Sequence, residues 1–240
     1  TRTDSSAASD VYKRQAQIIA YAINSVKFDP ATAGRCNDSG VCRLAQGQGN
    51  WNIEALGHDT FDFGDDMNHA HVQPNGQYHY HGIPELLVDF LGDNQGMTLV
   101  GWAADGFPVY AKYGFSNSFD TNSAVIALQS SYQLKSEGDP GRPNILTALV
   151  GGPGQGTSNP NIPIPMGAFT QDYEYIAGSG DLDECNGRFG VTPEFPNGIY
   201  HYHATLKVDN SGNAVKELNY YYPYDIDSMI QLDTDSSGLL

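Results

Sequence analysis

Residues 69–81 read HAHVQPNGQYHYH, and the segment PNGQYHYH at 74–81 returns almost unchanged as PNGIYHYH at 196–203. Alternate residues of a strand project from one face, so each YHYH segment sets two imidazoles on one side and two tyrosines on the other. Either set can fill a core. Pro74-Asn75-Gly76 suits a three-residue hairpin loop, a type I turn followed by glycine in the left-handed region. Counting outward from Asn75 places His71 opposite His79 and His69 opposite His81, which puts four imidazoles on one face. A two-residue loop would send the two pairs to opposite faces. The same count around Asn197 sets Pro193 opposite His201 and Val191 opposite His203, so the second copy offers two histidines. Two copies are too few for a solenoid, and they predict a pseudo-symmetric pair of hairpins within one domain.

Six of the seven histidines fall in three His-x-His pairs, namely His69/His71, His79/His81 and His201/His203; only His58 stands alone. Neutral imidazole is the commonest transition-metal ligand, and cross-strand spacing of about 5 Å approaches what zinc or copper requires. Asp65, Asp66, Asp181, Asp183 and Glu194 are candidate supporting carboxylates. With nitrogen and oxygen donors dominating, Zn(II), Cu(II), Ni(II) or Fe(II) is favoured over Cu(I). A single histidine on a strand is usually packed and hydrogen-bonded, which is the expectation for His58. Six in same-face pairs leave many ring nitrogens to satisfy, and a shared ligand answers that need. The two copies are expected to converge, so that His79/His81 and His201/His203 face a common pocket.

Composition narrows the field of partners. Twelve Lys and Arg against 28 Asp and Glu give a net charge of −16, so the basic footprint of a nucleic-acid or anionic-membrane binder is missing. No apolar stretch approaches the length of a membrane-spanning helix. Twenty-seven glycines and 13 prolines among 240 residues predict many turns and few long helices. The three cysteines form no disulfide scaffold; Cys36 and Cys42 enclose the turn-like Asn-Asp-Ser-Gly-Val and suit either a local disulfide or two thiols, with Cys185 left over.

Along the chain, residues 1–15 lack periodicity, and SSAASDVYKRQ at 5–15 resembles adapter read-through, so a β domain over 16–228 and an acidic tail over 229–240 are expected. Within that tail, Asp233 to Gly238 matches only the opening half of a calcium loop. A strand is expected over Ile18–Val26, and a hairpin over Leu99–Ala104 and Phe107–Lys112, closed by Asp105-Gly106. A short helix is expected from Pro84 to Leu91, ending at Gly92. The stretch GGPGQGTSNPNIPIP at 151–165 is expected to hold neither ladder nor helix. The fold class is mainly β, an antiparallel sandwich or barrel-like single domain with few short helices.

The segments HAHVQPNGQYHYH at 69–81, GWAADGFPVY at 101–110, DLDECNGR at 181–188 and YHYH at 200–203 resemble the YHYH protein family, from about Ala22 to about Tyr224. That resemblance implies a secreted or periplasmic protein and names no reaction. The chain departs from the family pattern at Ser25, where glycine is expected. Three functions compete. One is a secreted protein that binds a transition metal, zinc or copper. Another is a metal-dependent hydrolase or oxidoreductase with an open His-ligated position and Glu194 or Asp183 as general base. The third is an extracellular module that recognises glycan or another small molecule. No catalytic residue or oligomeric state is assigned. A closed four-ligand shell favours binding, an open position favours catalysis, and separated pairs with exposed aromatics favour recognition.

Overall fold

Short apolar segments closed by tight turns build the main sheet of a computed structural model, which describes residues 18–56, 58–92, 96–151, 156–206 and 220–221. Residues 1–15 and the acidic tail at 229–240 lie outside the described residues. The run expected as a strand at Ile18–Val26 holds only a three-residue strand, and that strand's ladder partner begins just beyond the run. Ala20–Ala22 (β1) and Lys27–Phe28 (β2) pair antiparallel, and the chain reverses through Ser25 at φ 69°. A left-handed backbone favours glycine over a residue with a Cβ, in keeping with the glycine that the resemblance leads one to expect there.

Ala70–Val72 (β3) and Tyr78–Tyr80 (β4) form the hairpin in the expected register, with His71 opposite His79 and Ala70 opposite Tyr80. The loop closes as expected, with Gln73 N donating to Gln77 O and Gly76 at φ 84°. Leu99–Ala103 (β5) and Pro108–Tyr110 (β6) form the other expected hairpin. Here Ala104 joins Asp105 and Gly106 in a three-residue loop, since Ala103 N donates to Phe107 O.

Gly187–Gly190 (β7) and Ile199–His203 (β8) depart from the register expected for the second copy. Arg188, not Pro193, lies opposite His201, and Gly187 lies opposite Tyr202. The turn itself is repeated, with Gly198 N donating to Phe195 O and Gly198 at φ 91°. Upstream of it, Thr192 and Phe195 exchange backbone hydrogen bonds with each other. That local closure lengthens the connection and moves the partner strand back along the sequence.

These eight strands form one sheet in the order β7-β8-β6-β5-β1-β2-β4-β3. Pairing is antiparallel except for β2 with β4 and β8 with β6, which run parallel. The sheet is not a closed barrel. Four strands separate β4 from β8, so at about 4.8 Å per step the two YHYH segments sit on the order of 24 Å apart across the sheet. The expected convergence of His79/His81 with His201/His203 on one pocket is therefore corrected: long-range pairing, not the repeat, sets their places.

One face of this sheet packs a core that includes Ala20, Phe28, Ala70, Tyr80, Val100, Val109 and Tyr202, with Tyr78 and Tyr200 against it. The tyrosines of both YHYH segments thus fill the core. Helix α1 (Glu85–Phe90) ends at Gly92, φ 82°, and buries Val88 in the same core.

A second, five-stranded sheet runs in the order Thr157–Ser158, Ala148–Val150, Val41–Arg43, Arg35–Cys36, Trp51–Asn52. Cys36 and Cys42 are joined by a disulfide across it, and Cys185 is buried outside that bond. Its core gathers Trp51, Ile53, Phe61, Phe63, Leu146 and Phe169. Beside it, Arg142 grips Asp172 through Nε–Oδ1 at 2.6 Å and Nη2–Oδ2 at 2.8 Å. Two pieces of the 151–165 stretch do enter ladders, Thr157–Ser158 against Leu149–Val150 and Ile162–Pro163 against Ile145–Leu146. Pairing of two residues at a time tolerates the prolines that a longer ladder would not.

Candidate metal centre

Three of the four imidazoles expected on the first hairpin face meet. The ring centroids of His71, His79 and His81 lie 4.6 to 4.7 Å apart. A ligand atom from each falls within 4.8 Å of the others, so together they could hold a metal ion. His71 and His79 come from β3 and β4, and His81 follows two residues after His79 on the same face. The cluster lies where the two cores approach, with Phe63 of the second core stacked on His71 at 6.2 Å.

Hydrogen bonding fixes the tautomers. His81 Nδ1 lies 2.7 Å from the Pro30 carbonyl, which can only accept, so the ring carries its proton there and presents a lone pair on Nε2. Asp65 Oδ1 lies 2.7 Å from His71 Nδ1, off the ideal hydrogen-bond line but too close for two lone pairs. His71 Nε2 is then the ring atom left facing His81. The two Nε2 atoms are 3.4 Å apart. A cation between them could be held by both. Zinc–nitrogen bonds of about 2.0–2.1 Å at tetrahedral angles would hold two ligand nitrogens about 3.3 Å apart. A ligating histidine ordinarily donates its other N–H to a carboxylate or carbonyl, as His81 does to Pro30, while His71 Nδ1 lies against the Asp65 carboxylate. His79 adds a buried Nδ1 without a hydrogen-bond partner.

Burial, then the neighbouring imidazoles, pushes His79 down from 6.5 to about 4. Burial also lowers His81, against the pull of Asp65. Both rings are thereby kept in the neutral form that binds metal.

His69 is the fourth imidazole, and it does not join. It is paired with His81 through the backbone, His81 N donating to His69 O at 2.7 Å, but its own backbone is left-handed at φ 54° and its Nδ1 meets the Ile83 carbonyl at 2.9 Å. The alternation of faces fails where the strand ends. His201 and His203 lie at the far end of the sheet, outside the cluster, 0% and 1% exposed.

Of the five candidate carboxylates, Asp65 alone reaches the cluster. Asp66 accepts from the Tyr78 hydroxyl at 2.5 Å, and Tyr78, partly buried against it, is pushed up to about 12. Asp181 accepts from Gln129 N, and Asp183 accepts from Cys185 N, Gly187 N and the Tyr200 hydroxyl. Glu194 accepts from the Tyr110 hydroxyl at 2.7 Å. Asp183 and Glu194 are thus committed to structure, far from the role of general base at this cluster. His58, as expected, is engaged locally, Nε2 meeting Glu54 O at 2.8 Å.

Sequence reading passed over two partners. The Pro30 carbonyl has no signal in the sequence, because a backbone oxygen belongs to every residue. Lys27, opposite His79 across the β2–β4 pair, is buried with its ammonium on Asp29 and Gln73.

A β-rich domain carrying a cluster of three histidines with one carboxylate behind it is the class that fold and site define. A family model described as YHYH protein matches residues 1–216, and the chain belongs to that family. Neither the comparison with curated proteins nor that with solved structures returned a match.

Proposed function

We propose that this protein is a secreted or periplasmic metal-binding protein that holds one transition ion, zinc or copper, on His71, His79 and His81, with Asp65 orienting His71. The observation that carries this reading is the pair of Nε2 atoms at 3.4 Å, each on a ring whose opposite nitrogen lies against an acceptor. The Cys36–Cys42 disulfide supports an oxidising compartment, and no helix among the described residues is long and apolar enough to cross a membrane. Nucleic acid is disfavoured by the charge of −16.

Three protein ligands rather than four favour a second reading, a metal-dependent hydrolase or oxidoreductase whose fourth position takes water or substrate. Within it, burial keeps His79 and His81 neutral and Pro30 O orients His81, while the ion would supply Lewis acidity. A glycan-recognition role draws on exposed Tyr21 and Trp102, cross-strand neighbours on β1 and β5.

Metal content decides first. Mass spectrometry of untagged protein, as purified and after dialysis against zinc or copper, should find one tightly held ion per chain that His79→Ala abolishes. Absence of a stoichiometric ion under every condition overturns the metal reading and turns attention to glycan binding.

A further inference from the structure

The second copy of the repeat carries three polar atoms that metal binding does not use. His201 Nδ1 meets the Ile199 carbonyl at 2.9 Å and His203 Nδ1 meets the Ala111 carbonyl at 2.8 Å. Each ring therefore keeps a lone pair on Nε2, and both Nε2 atoms are buried with no hydrogen-bond partner. The rings lie 5.1 Å apart on one face of β8. Arg188, opposite His201 across the ladder, gives Nη2 to the Phe115 carbonyl at 2.8 Å, while its buried Nε has no partner. A Cβ on Gly114 would lie 2.8 Å from Arg188 Nη2 and 3.1 Å from His203 Cε1, so guanidinium and imidazole close over the same glycine.

Two bare acceptors and one cationic donor select their ligand. A divalent ion would sit beside a fixed guanidinium, and Asp181, the carboxylate whose charge reaches that guanidinium, is held by Gln129 N. A fully deprotonated anion would satisfy Arg188 but bring no hydrogen for either imidazole. We propose that His201, His203 and Arg188 form a binding site for one small neutral molecule that donates two hydrogen bonds, to the two Nε2 atoms, and accepts one from Arg188 Nε. Water is the smallest such molecule, and a buried water commonly makes about three hydrogen bonds. A primary amide, with NH2 and carbonyl oxygen, offers the same pattern. Burial holds His201 down at about 4 and His203 well below 6.5, so both rings remain neutral acceptors at physiological pH.

The test is NMR on the full chain labelled with 15N-histidine. Expected are the Nδ1–H tautomer for His201 and His203 and cross-relaxation between their Hε1 protons and a long-lived water. Acetamide then separates the sources: loss of the water signal with shifted Nε2 resonances assigns the site to an amide, and an undisturbed signal assigns it to water. One equivalent of zinc should leave both resonances in place, whether or not it binds elsewhere. Arg188→Met should abolish the bound-water signal while both tautomers persist. An Nε2–H tautomer, the lack of both a water contact and an acetamide shift, or a zinc-induced shift at His201 and His203 would overturn the proposal.

Discussion

The first YHYH segment faces His71 across its ladder and has Asp65 behind it, whereas the second faces Arg188. Seven of eight residues agree between PNGQYHYH and PNGIYHYH, and in both copies the tyrosines enter the core while the imidazoles take the other face. The octapeptide therefore decides where the rings point. On the readings proposed above, what they bind depends on what lies across from them, Asp65 behind His71 favouring a cation at one set and Arg188 disfavouring it at the other. A repeated motif is thus weak evidence for a repeated ligand.

The largest effect that bears on this contrast is expected from paired alanine variants. His81→Ala should weaken zinc binding by about 100-fold or more, as removal of a ligand exceeds loss of an outer partner, while His203→Ala leaves the affinity unchanged. Competition against a chromophoric chelator measures both. Equal losses would mean that the two copies share an ion after all. Asp65→Asn should follow with a loss of about ten- to a hundredfold, because the carboxylate fixes the His71 tautomer without touching the ion. Asp183→Asn, at the second copy, should leave zinc affinity where it is, and a matching loss would erase the distinction drawn between the acids.

The smallest effect concerns pH, and here the copies should behave alike. His79 and His201 are each held down from 6.5 to about 4, so the unfolded chain binds protons that the folded one refuses. Their neutral burial costs nothing above about pH 6.5, and stability is then lost as pH falls toward 4. Denaturant titration of metal-free protein should show the midpoint declining through that window. Saturating zinc should hold the decline back, and His79→Gln should remove part of it in the metal-free chain. A flat midpoint between pH 6.5 and 4 would contradict the neutral state of both buried sets.

The first hairpin was legible because its loop has no residue to spare: Pro74, Asn75 and Gly76 close directly on Gln73 and Gln77, and the register follows. The second was not, because Thr192 and Phe195 bond each other before the turn begins, which no count around Asn197 anticipates. The division between tyrosine core and histidine site needed the sheet order, since alternation alone permits either face inward. His69 misled because strand alternation stops at its left-handed backbone. The acids were chosen by proximity in sequence, and four of the five proved to be partners of nearby backbone amides or tyrosine hydroxyls.

Strand β3 is the outermost of its end of the main sheet and only three residues long, with Val72 largely exposed. An outermost strand offers unpaired peptide groups as a template for another chain. An ion shared by His71, His79 and His81 would staple that strand to β4 and, through His81, to the Pro30 carbonyl. Chelation would then do more than empty a site: it would unfasten a margin of the sheet, and metal-depleted protein should cross into intermolecular aggregation sooner than the loaded form.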